Sequence, residues 1–240
     1  MGRILANDPI IIFTRPRKAS ERFCAELGWS GPTVFSPLLD IEFLKVDIDF
    51  SACSGVIFSS ENAIRAIEPC GGFHGKNAFA VGVRTAERAI SLGFNVAVGD
   101  GNADQLVDLI LQSDVQGKLL YPRGRHASGQ IAQRLIAQGL DVTEVIVYEQ
   151  HEVPLSAQAL AALSGTNPVL LPVFSARTAQ ILSKRLLATP PTAPIHLISI
   201  SNQVAESWDG PDLASSVVAE NPSSTGMKLM LMRRLADIAR

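Results

Sequence analysis

The chain is poor in aromatic residues, nearly neutral and without a long apolar run, and these shortages exclude several protein classes. Aromatic residues make up 6% of the 240 residues and the formal net charge is −2, so the basic surface of a nucleic-acid-binding protein is missing. No apolar run approaches the roughly 20 residues that cross a bilayer. The N-terminal apolar stretch is interrupted by charged and turn residues and predicts a first strand rather than a targeting segment. We therefore expect a cytoplasmic protein with no nucleic-acid or membrane partner.

Residue patterns for common metal, cofactor and covalent chemistry are also missing. The three cysteines, Cys24, Cys53 and Cys70, follow no disulfide or zinc-ligand spacing, so we interpret them as reduced core thiols. There is no GxGxxG after a strand, no GxxxxGK[ST], no HExxH and no GxSxG. The four histidines are scattered along the chain. We expect no metal, no cofactor and no covalent nucleophile.

What the sequence does contain is an alternation of short aliphatic runs with helical stretches of about ten to fifteen residues. This pattern is typical of βαβ units and predicts an α/β protein with parallel sheets flanked by helices. The predicted strands are Ile10–Phe13, Gly55–Phe58, Ala78–Gly82, Lys118–Pro122, Val142–Tyr148, Val169–Phe174, Ile195–Ile200 and Ser215–Ala219. A helix is predicted after residue 125, with Ile131, Leu135 and Ile136 on its buried face and Gly139 at its end.

One pattern occurs twice. The stretch "VIFSSENAIRAI" (Val56–Ile67) returns as "PVFSARTAQIL" (Pro172–Leu182), so that Phe58, Ser59 and Ala63 align with Phe174, Ser175 and Ala179. A second pair, "AVGVRTAERAISLG" and "SISNQVAESW", has the same strand-to-helix plan. Either the chain contains two related units, or both halves follow the common βα pattern independently.

Two extended segments of mixed polarity indicate how the units are joined. They are Thr33–Asp47 and Thr143–Leu155, and we predict that they pair as a two-stranded β linker near 34–42 and 146–153. Domain 1 would then comprise residues 1–38 and 152–240, with domain 2, residues 39–151, inserted into it. The predicted fold is thus two α/β lobes with a thin connection, for which relative motion is the usual expectation.

Small hydroxyl residues follow the predicted strands where ligands bind in open parallel sheets. Ser59, Ser60 and Ser175 stand at helix starts, whose free N–H groups attract carboxylates or phosphates. Further helix starts are predicted at Thr14–Arg17, Val83–Thr85, Arg123–Ser128 and Ser201–Gln203, with Arg15 and Arg123 as candidate anion-binding side chains. The alternative is that each serine only caps its helix and each arginine only pairs locally.

Seven stretches in this order resemble the motifs of the uroporphyrinogen-III synthase family: "FTRP", "VIFSSENAIRA", "AVGVRTAERAISLGFNV", "LLYPRG", "VIVYEQ", "VFSARTA" and "SISNQVAE". The resemblance implies a lyase of tetrapyrrole (haem) biosynthesis that cyclises hydroxymethylbilane, a linear octacarboxylate, with inversion of ring D and loss of water. It also implies a two-lobed fold, no cofactor, and a reaction governed chiefly by how the substrate is held.

The resemblance assigns roles to particular residues. Tyr148 matches the tyrosine of the family's "VY" motif and is the predicted catalytic group, assisting loss of the substrate hydroxyl. Thr85 matches the threonine of "VGxxTA" and is predicted to bind substrate, together with Ser59, Ser60, Ser175, Ser201, Arg15 and Arg123. The chain has Val204–Ala205 where some members have threonine and alanine, so backbone N–H groups of Asn202 and Gln203 are predicted to substitute there.

Two other functions fit parts of the pattern. A non-catalytic binding or sensor protein for a small polyanion would also have two α/β lobes. A sugar-nucleotide transferase is a further rival, although the chain is short for that class and has no evident nucleotide-binding motif. We expect a monomer, which receives its substrate from solution or directly from the upstream enzyme that makes hydroxymethylbilane.

Overall fold

The computed structural model describes residues 8–126 and 129–238, which form two compact units. Unit 1 comprises the described residues up to Asp40 and from Glu152 onward, and unit 2 is Ile41–His151. Both are built on mainly parallel sheets flanked by helices, which confirms the predicted α/β class. Within the described ranges, no helix is both long enough and apolar enough to cross a membrane.

The strands and helices alternate along most of the chain. The strands are β1 Ile10–Phe13, β2 Thr33–Phe35, β3 Leu39–Phe43, β4 Gly55–Phe58, β5 Asn77–Ala80, β6 Asn95–Val98, β7 Leu119–Gly124, β8 Val142–Glu152, β9 Val169–Val173, β10 Ile195–Ser199 and β11 Ser215–Val218. The helices are α1 Arg17–Leu27, α2 Glu61–Ile67, α3 Val83–Ser91, α4 Ala103–Leu111, α5 Ile131–Ala137, α6 Ala157–Leu163, α7 Ala176–Ala188, α8 Asn202–Glu206 and α9 Ser224–Ile238.

The sheet of unit 1 has the order β11-β10-β9-β1-β2, and its neighbouring strands are parallel. The central strands are apolar on both faces because helices cover both sides. One face packs with Leu163 of α6 and Leu182 of α7, and the other with Phe23 of α1 and Leu231 of α9. Since all five strands run in the same direction, their carboxyl ends lie at one edge of the sheet.

The sheet of unit 2 has the order β3-β8-β7-β4-β5-β6. The pairs of neighbouring strands among β4 to β8 are parallel. The β3 strand runs antiparallel to β8, since the N–H of Leu44 donates to the carbonyl of Val147 while that of Val153 donates to the carbonyl of Leu38. These two strands carry the chain from one unit to the other.

Four details differ from the sequence prediction. The prediction of core thiols is right only for Cys53, since Cys24 is half-buried and Cys70 is exposed. The edge strand β6 was not predicted, because its four residues are only partly buried and lack a continuous apolar run. Arg123 lies inside β7, not at a helix start, and α5 begins at Ile131; the predicted end of that segment, Ser128, lies outside the described residues. On α5, Ile131 and Leu135 are buried but Ile136 is 51% exposed, because Ala132 completes the buried face instead.

Candidate functional site

The predicted site residues divide into two sets, each placed by one sheet. In unit 2, Ser59 and Ser60 follow β4, Thr85 lies in the first turn of α3 after β5, and Arg123 and Tyr148 belong to β7 and β8. In unit 1, Arg15 follows β1, Ser175 follows β9, and Ser201, Asn202 and Gln203 follow β10. Because parallel strands share one carboxyl edge, each set lies toward that edge of its own sheet.

The serines after β4 and β9 differ in whether they cap the helix that follows. Ser60 caps α2 by accepting a hydrogen bond from the Asn62 N–H at 3.1 Å, and Ser175 caps α7 by accepting one from the Thr178 N–H at 3.2 Å. Ser59 caps neither helix, so the capping alternative is wrong for this serine. Ser201 holds the N-cap position of α8 without a side-chain capping bond. The capping alternative therefore applies to Ser60 and Ser175 only.

Ser59 instead bonds to a residue that the sequence reasoning did not single out. Its Oγ lies 2.8 Å from the hydroxyl oxygen of Tyr121, on the neighbouring strand β7. Tyr121 is 1% exposed, and burial raises the pKa of its hydroxyl above the usual value because the charged phenolate would be desolvated. The one available signal was a tyrosine inside the apolar run "LLYP", since a buried tyrosine requires a hydrogen-bond partner.

Tyr148 is also largely buried. Its side chain is 6% exposed and belongs to the hydrophobic cluster that contains Phe58 and Leu120. The phenol end of the ring lies against Gly124: a Cβ built on this glycine would stand 2.6 Å from Cζ and 2.9 Å from the hydroxyl oxygen. The predicted catalytic hydroxyl is thus held in a packed position.

Arg123 is engaged in local interactions. Its Nε lies 2.5 Å from Oε1 of Glu144, an ion pair rather than a directed hydrogen bond, since Nε has no hydrogen-bond partner among the described residues. Its Nη1 donates to the carbonyl of Gly124 at 2.9 Å. This local pairing supports the alternative given for Arg123 above, and its guanidinium stabilises the end of β7.

The edge of unit 1 combines a cation, an aromatic ring and buried hydroxyls. The Arg15 guanidinium carbon lies 4.2 Å above the centre of the Phe174 ring, an arrangement that favours the cation electrostatically. Thr14, the first residue after β1, and Ser199, the last residue of β10, are 2% and 0% exposed. Their hydroxyl oxygens have no hydrogen-bond partner among residues 8–126 and 129–238.

The remaining predicted contacts differ in accessibility. Thr85 is 6% exposed, whereas Asn202 and Gln203 are exposed at the start of α8. The start of α3 follows Gly82, and its preceding loop is held by the Gly101 N–H, which donates to the carbonyl of Val81 at 2.7 Å. The described residues contain no group of three or more His, Cys, Asp or Glu side chains arranged to hold a metal ion.

The architecture is similar to two solved structures. Uroporphyrinogen-III synthetase from Helicobacter pylori superposes with a TM-score of 0.62 at 17% identity, over 94% of this chain and 99% of that one. A mutant uroporphyrinogen III synthase from Thermus thermophilus superposes with a TM-score of 0.51 at 14% identity, over 95% of this chain and 98% of that one. At these identities the likeness shows the shared fold.

A comparison of the sequence with family models identifies the family of this chain. No curated protein sequence matches the chain significantly. The model of the family described as uroporphyrinogen-III synthase HemD matches residues 21–228, most of both units. The chain belongs to the uroporphyrinogen-III synthase family.

Proposed function

We propose that this chain is a lyase that converts hydroxymethylbilane into uroporphyrinogen III, with inversion of ring D and loss of water, in tetrapyrrole biosynthesis. The observation that carries the proposal is the family match over residues 21–228. The same match favours catalysis over the non-catalytic binding protein and over the sugar-nucleotide transferase.

The reaction proceeds in steps that balance. Loss of the terminal hydroxyl, as water, gives an azafulvene, and ring D attacks it through its substituted α-carbon to form a spiro-pyrrolenine. A carbon–carbon bond of the spiro centre then breaks, ring D rejoins through its other α-carbon, and a proton leaves. Orientation of reactants supplies roughly 7–11 kcal/mol in well-placed systems, whereas one positioned acid supplies about 10²–10⁴-fold. Holding the substrate in the folded geometry is therefore the enzyme's larger task.

Tyr148 is the group we assign to the first step, in which its hydroxyl donates to the departing hydroxyl. Its burial and its packing against Gly124 support this assignment, because a general acid acts best from a fixed position.

The substrate's carboxylates require hydrogen-bond donors, and the two sheet edges supply candidates. In unit 1 these are Arg15, Ser175, Ser201 and the N–H groups of Asn202 and Gln203. In unit 2 they are Ser59, Ser60 and Thr85, with Arg123 as the weakest member because Glu144 already pairs with it. We propose that the protein acts as a monomer in the cytoplasm, consistent with its three free thiols.

The test is the isomer composition of the product. Hydroxymethylbilane is generated in situ, the protein is added, and the oxidised products are separated into type I and type III uroporphyrins. Predominantly type III product is expected, since the substrate closes unaided to type I. Type I product alone, with folded protein in excess, contradicts the proposal and favours the polyanion-binding protein.

A further inference from the structure

The pairing of β7 with β8 is interrupted beside Tyr148. Arg123 pairs with Ile146, but the next residue, Gly124, pairs with Tyr148, so Val147 is an extra residue in β8. Such a β-bulge bends the strand and changes the direction in which the following side chain points. The bulge falls one residue before the proposed catalytic group.

The bulge changes the face on which Tyr148 lies. In a regular strand, alternate residues share a face, so Tyr148 would join Val142, which packs with Tyr121 and Leu135. Instead, Val147 and Tyr148 both belong to the opposite cluster, the one that contains Phe58. A regular β8 strand with the same residues and no bulge would direct the Tyr148 ring to the other side of the sheet.

Gly124 provides the space that this orientation requires. Its backbone does not need glycine, because its φ does not lie in the left-handed region. A Cβ at this position would meet Cε2 and Cζ of Tyr148, each at 2.6 Å, and no backbone atom is among the three nearest. An added methyl group would therefore displace the phenol ring rather than the strand.

Polar contacts hold the backbone around this pair. The Arg125 N–H donates to the carbonyl of Tyr148 at 3.0 Å, and Nη1 of Arg123 donates to the carbonyl of Gly124 at 2.9 Å. Glu144 in turn pairs with Arg123. These contacts hold the backbone of both strands beside the ring, from which the ring projects.

We propose that Gly124 is a positioning residue, which together with the Val147 bulge holds the Tyr148 hydroxyl where it assists loss of the substrate hydroxyl. This inference rests on the catalytic role proposed for Tyr148. Gly124 touches neither substrate nor reacting atoms in this role and acts only through the tyrosine ring.

The experiment is a double-mutant cycle on kcat and KM. Gly124→Ala is expected to lower kcat about tenfold with little change in KM, because a small misplacement of a catalytic group costs much of its effect. In the Tyr148→Phe background, Gly124→Ala is expected to change kcat less than twofold, since the hydroxyl is already absent. Gly55→Ala is the matched control: it is another buried strand glycine of unit 2, and its Cβ would meet Leu119 at 3.1 Å.

A spectroscopic readout tests position directly. The chain has two tyrosines, Tyr121 and Tyr148, so ¹³C labelling of the tyrosine Cζ alone gives two signals, which Tyr148→Phe assigns. Gly124→Ala is expected to shift the Tyr148 signal and leave that of Tyr121 nearly unchanged. Should Gly124→Ala fail to fold, Glu144→Gln loosens the Arg123 contact without adding bulk and is expected to shift the same signal and lower kcat.

Two results overturn the inference: an equal loss of kcat on Gly124→Ala in both backgrounds, or a Tyr148 signal that neither variant moves. A wild-type protein that yields only type I product overturns the proposed function instead. In that case the labelled tyrosine still reports whether Gly124 positions the ring.

Discussion

The repeated sequence has different structural roles in the two units. In unit 1, Val173 ends β9, Phe174 is half-buried beneath Arg15, and Ser175 caps α7. In unit 2, Phe58 ends β4 and is fully buried, Ser59 bonds to Tyr121, and Ser60 is the cap. Each unit has one residue between the strand end and the helix cap, and this residue is Ser59 in unit 2 and Phe174 in unit 1. The structural alignment of the two repeats is therefore shifted by one residue from their sequence alignment.

Because of this shift, identical residues in the two sequence repeats occupy different positions of the strand-to-helix turn. Ser60 and Ser175 are bound by their own helices, so removing either affects a local contact. Ser59 is bound by a tyrosine 62 residues away, and its contribution belongs to the packing of the sheet. Unit 2 therefore places both tyrosines of the chain near its carboxyl edge, while unit 1 contributes hydroxyls and a stacked arginine.

The largest expected effect concerns the edge of unit 2. Tyr148→Phe is expected to lower kcat by about 10²-fold or less, consistent with loss of one positioned acid, while the product remains mainly type III. Single-turnover rates and isomer ratios provide the measurement. Complete loss of activity in a folded variant would show that acid catalysis, and not positioning, dominates.

The Ser59–Tyr121 bond is the next test of the comparison. Ser59→Ala is expected to lower the free energy of unfolding by about 2 kcal/mol, because it leaves the buried Tyr121 hydroxyl without its partner. Denaturant titration measures this loss. Tyr121→Phe is the matched control and should cost less, about 1 kcal/mol, since the half-buried Ser59 can bind water instead.

Combining Ser59→Ala with Tyr121→Phe tests whether the stability loss comes from the unpaired Tyr121 hydroxyl. The double variant should be no less stable than Ser59→Ala alone, because no buried hydroxyl then remains unpaired. Additive losses would mean that the two hydroxyls stabilise the unit independently, and the proposed difference between Ser59 and Ser175 would be lost.

The corresponding serine of unit 1 should matter less for stability. Ser175→Ala removes a helix cap and is expected to cost about 1 kcal/mol, and Ser175→Gly only a few tenths, since glycine is tolerated at N-caps. Thermal and denaturant unfolding of both variants measure the difference. A cost equal to that of Ser59→Ala would show that the repeat is equivalent in energy despite its shift.

The smallest expected effect lies in unit 1 and depends on pH. His196 is 8% exposed, its Nδ1 lies 2.8 Å from the Ser215 hydroxyl, and Arg234 stands 3.2 Å away. Burial, with a smaller effect of the Arg234 charge, lowers the pKa of His196 from its ordinary 6.5. The unfolded chain therefore binds a proton at a higher pH than the folded one, and stability should fall as pH decreases below about 6.5.

The free energy of unfolding, measured as a function of pH around and below about 6.5, tests whether His196 causes this pH dependence. His196→Asn should remove the part of the pH dependence that lies just below 6.5. If the variant keeps the full dependence, other groups are responsible.

How much of the molecule was predictable depends on the range of the interactions. The alternation of apolar runs and helical stretches predicts the α/β class, because strand and helix periodicities are local properties. The caps at Ser60 and Ser175 follow from short-range preferences as well. The β6 strand was missed because a partly exposed edge strand has a weak local pattern.

The sequence alone determined the class, the family resemblance and the candidate hydroxyls. Only the tertiary structure decided that Ser59 pairs with Tyr121, that Glu144 engages Arg123, and that the bulge at Val147 turns Tyr148 onto the face where Gly124 makes room. These contacts join residues on different strands, and a single extra residue in one ladder reverses the face of every side chain that follows. Local patterns are not informative about such register, because it is fixed by the packing of neighbouring strands.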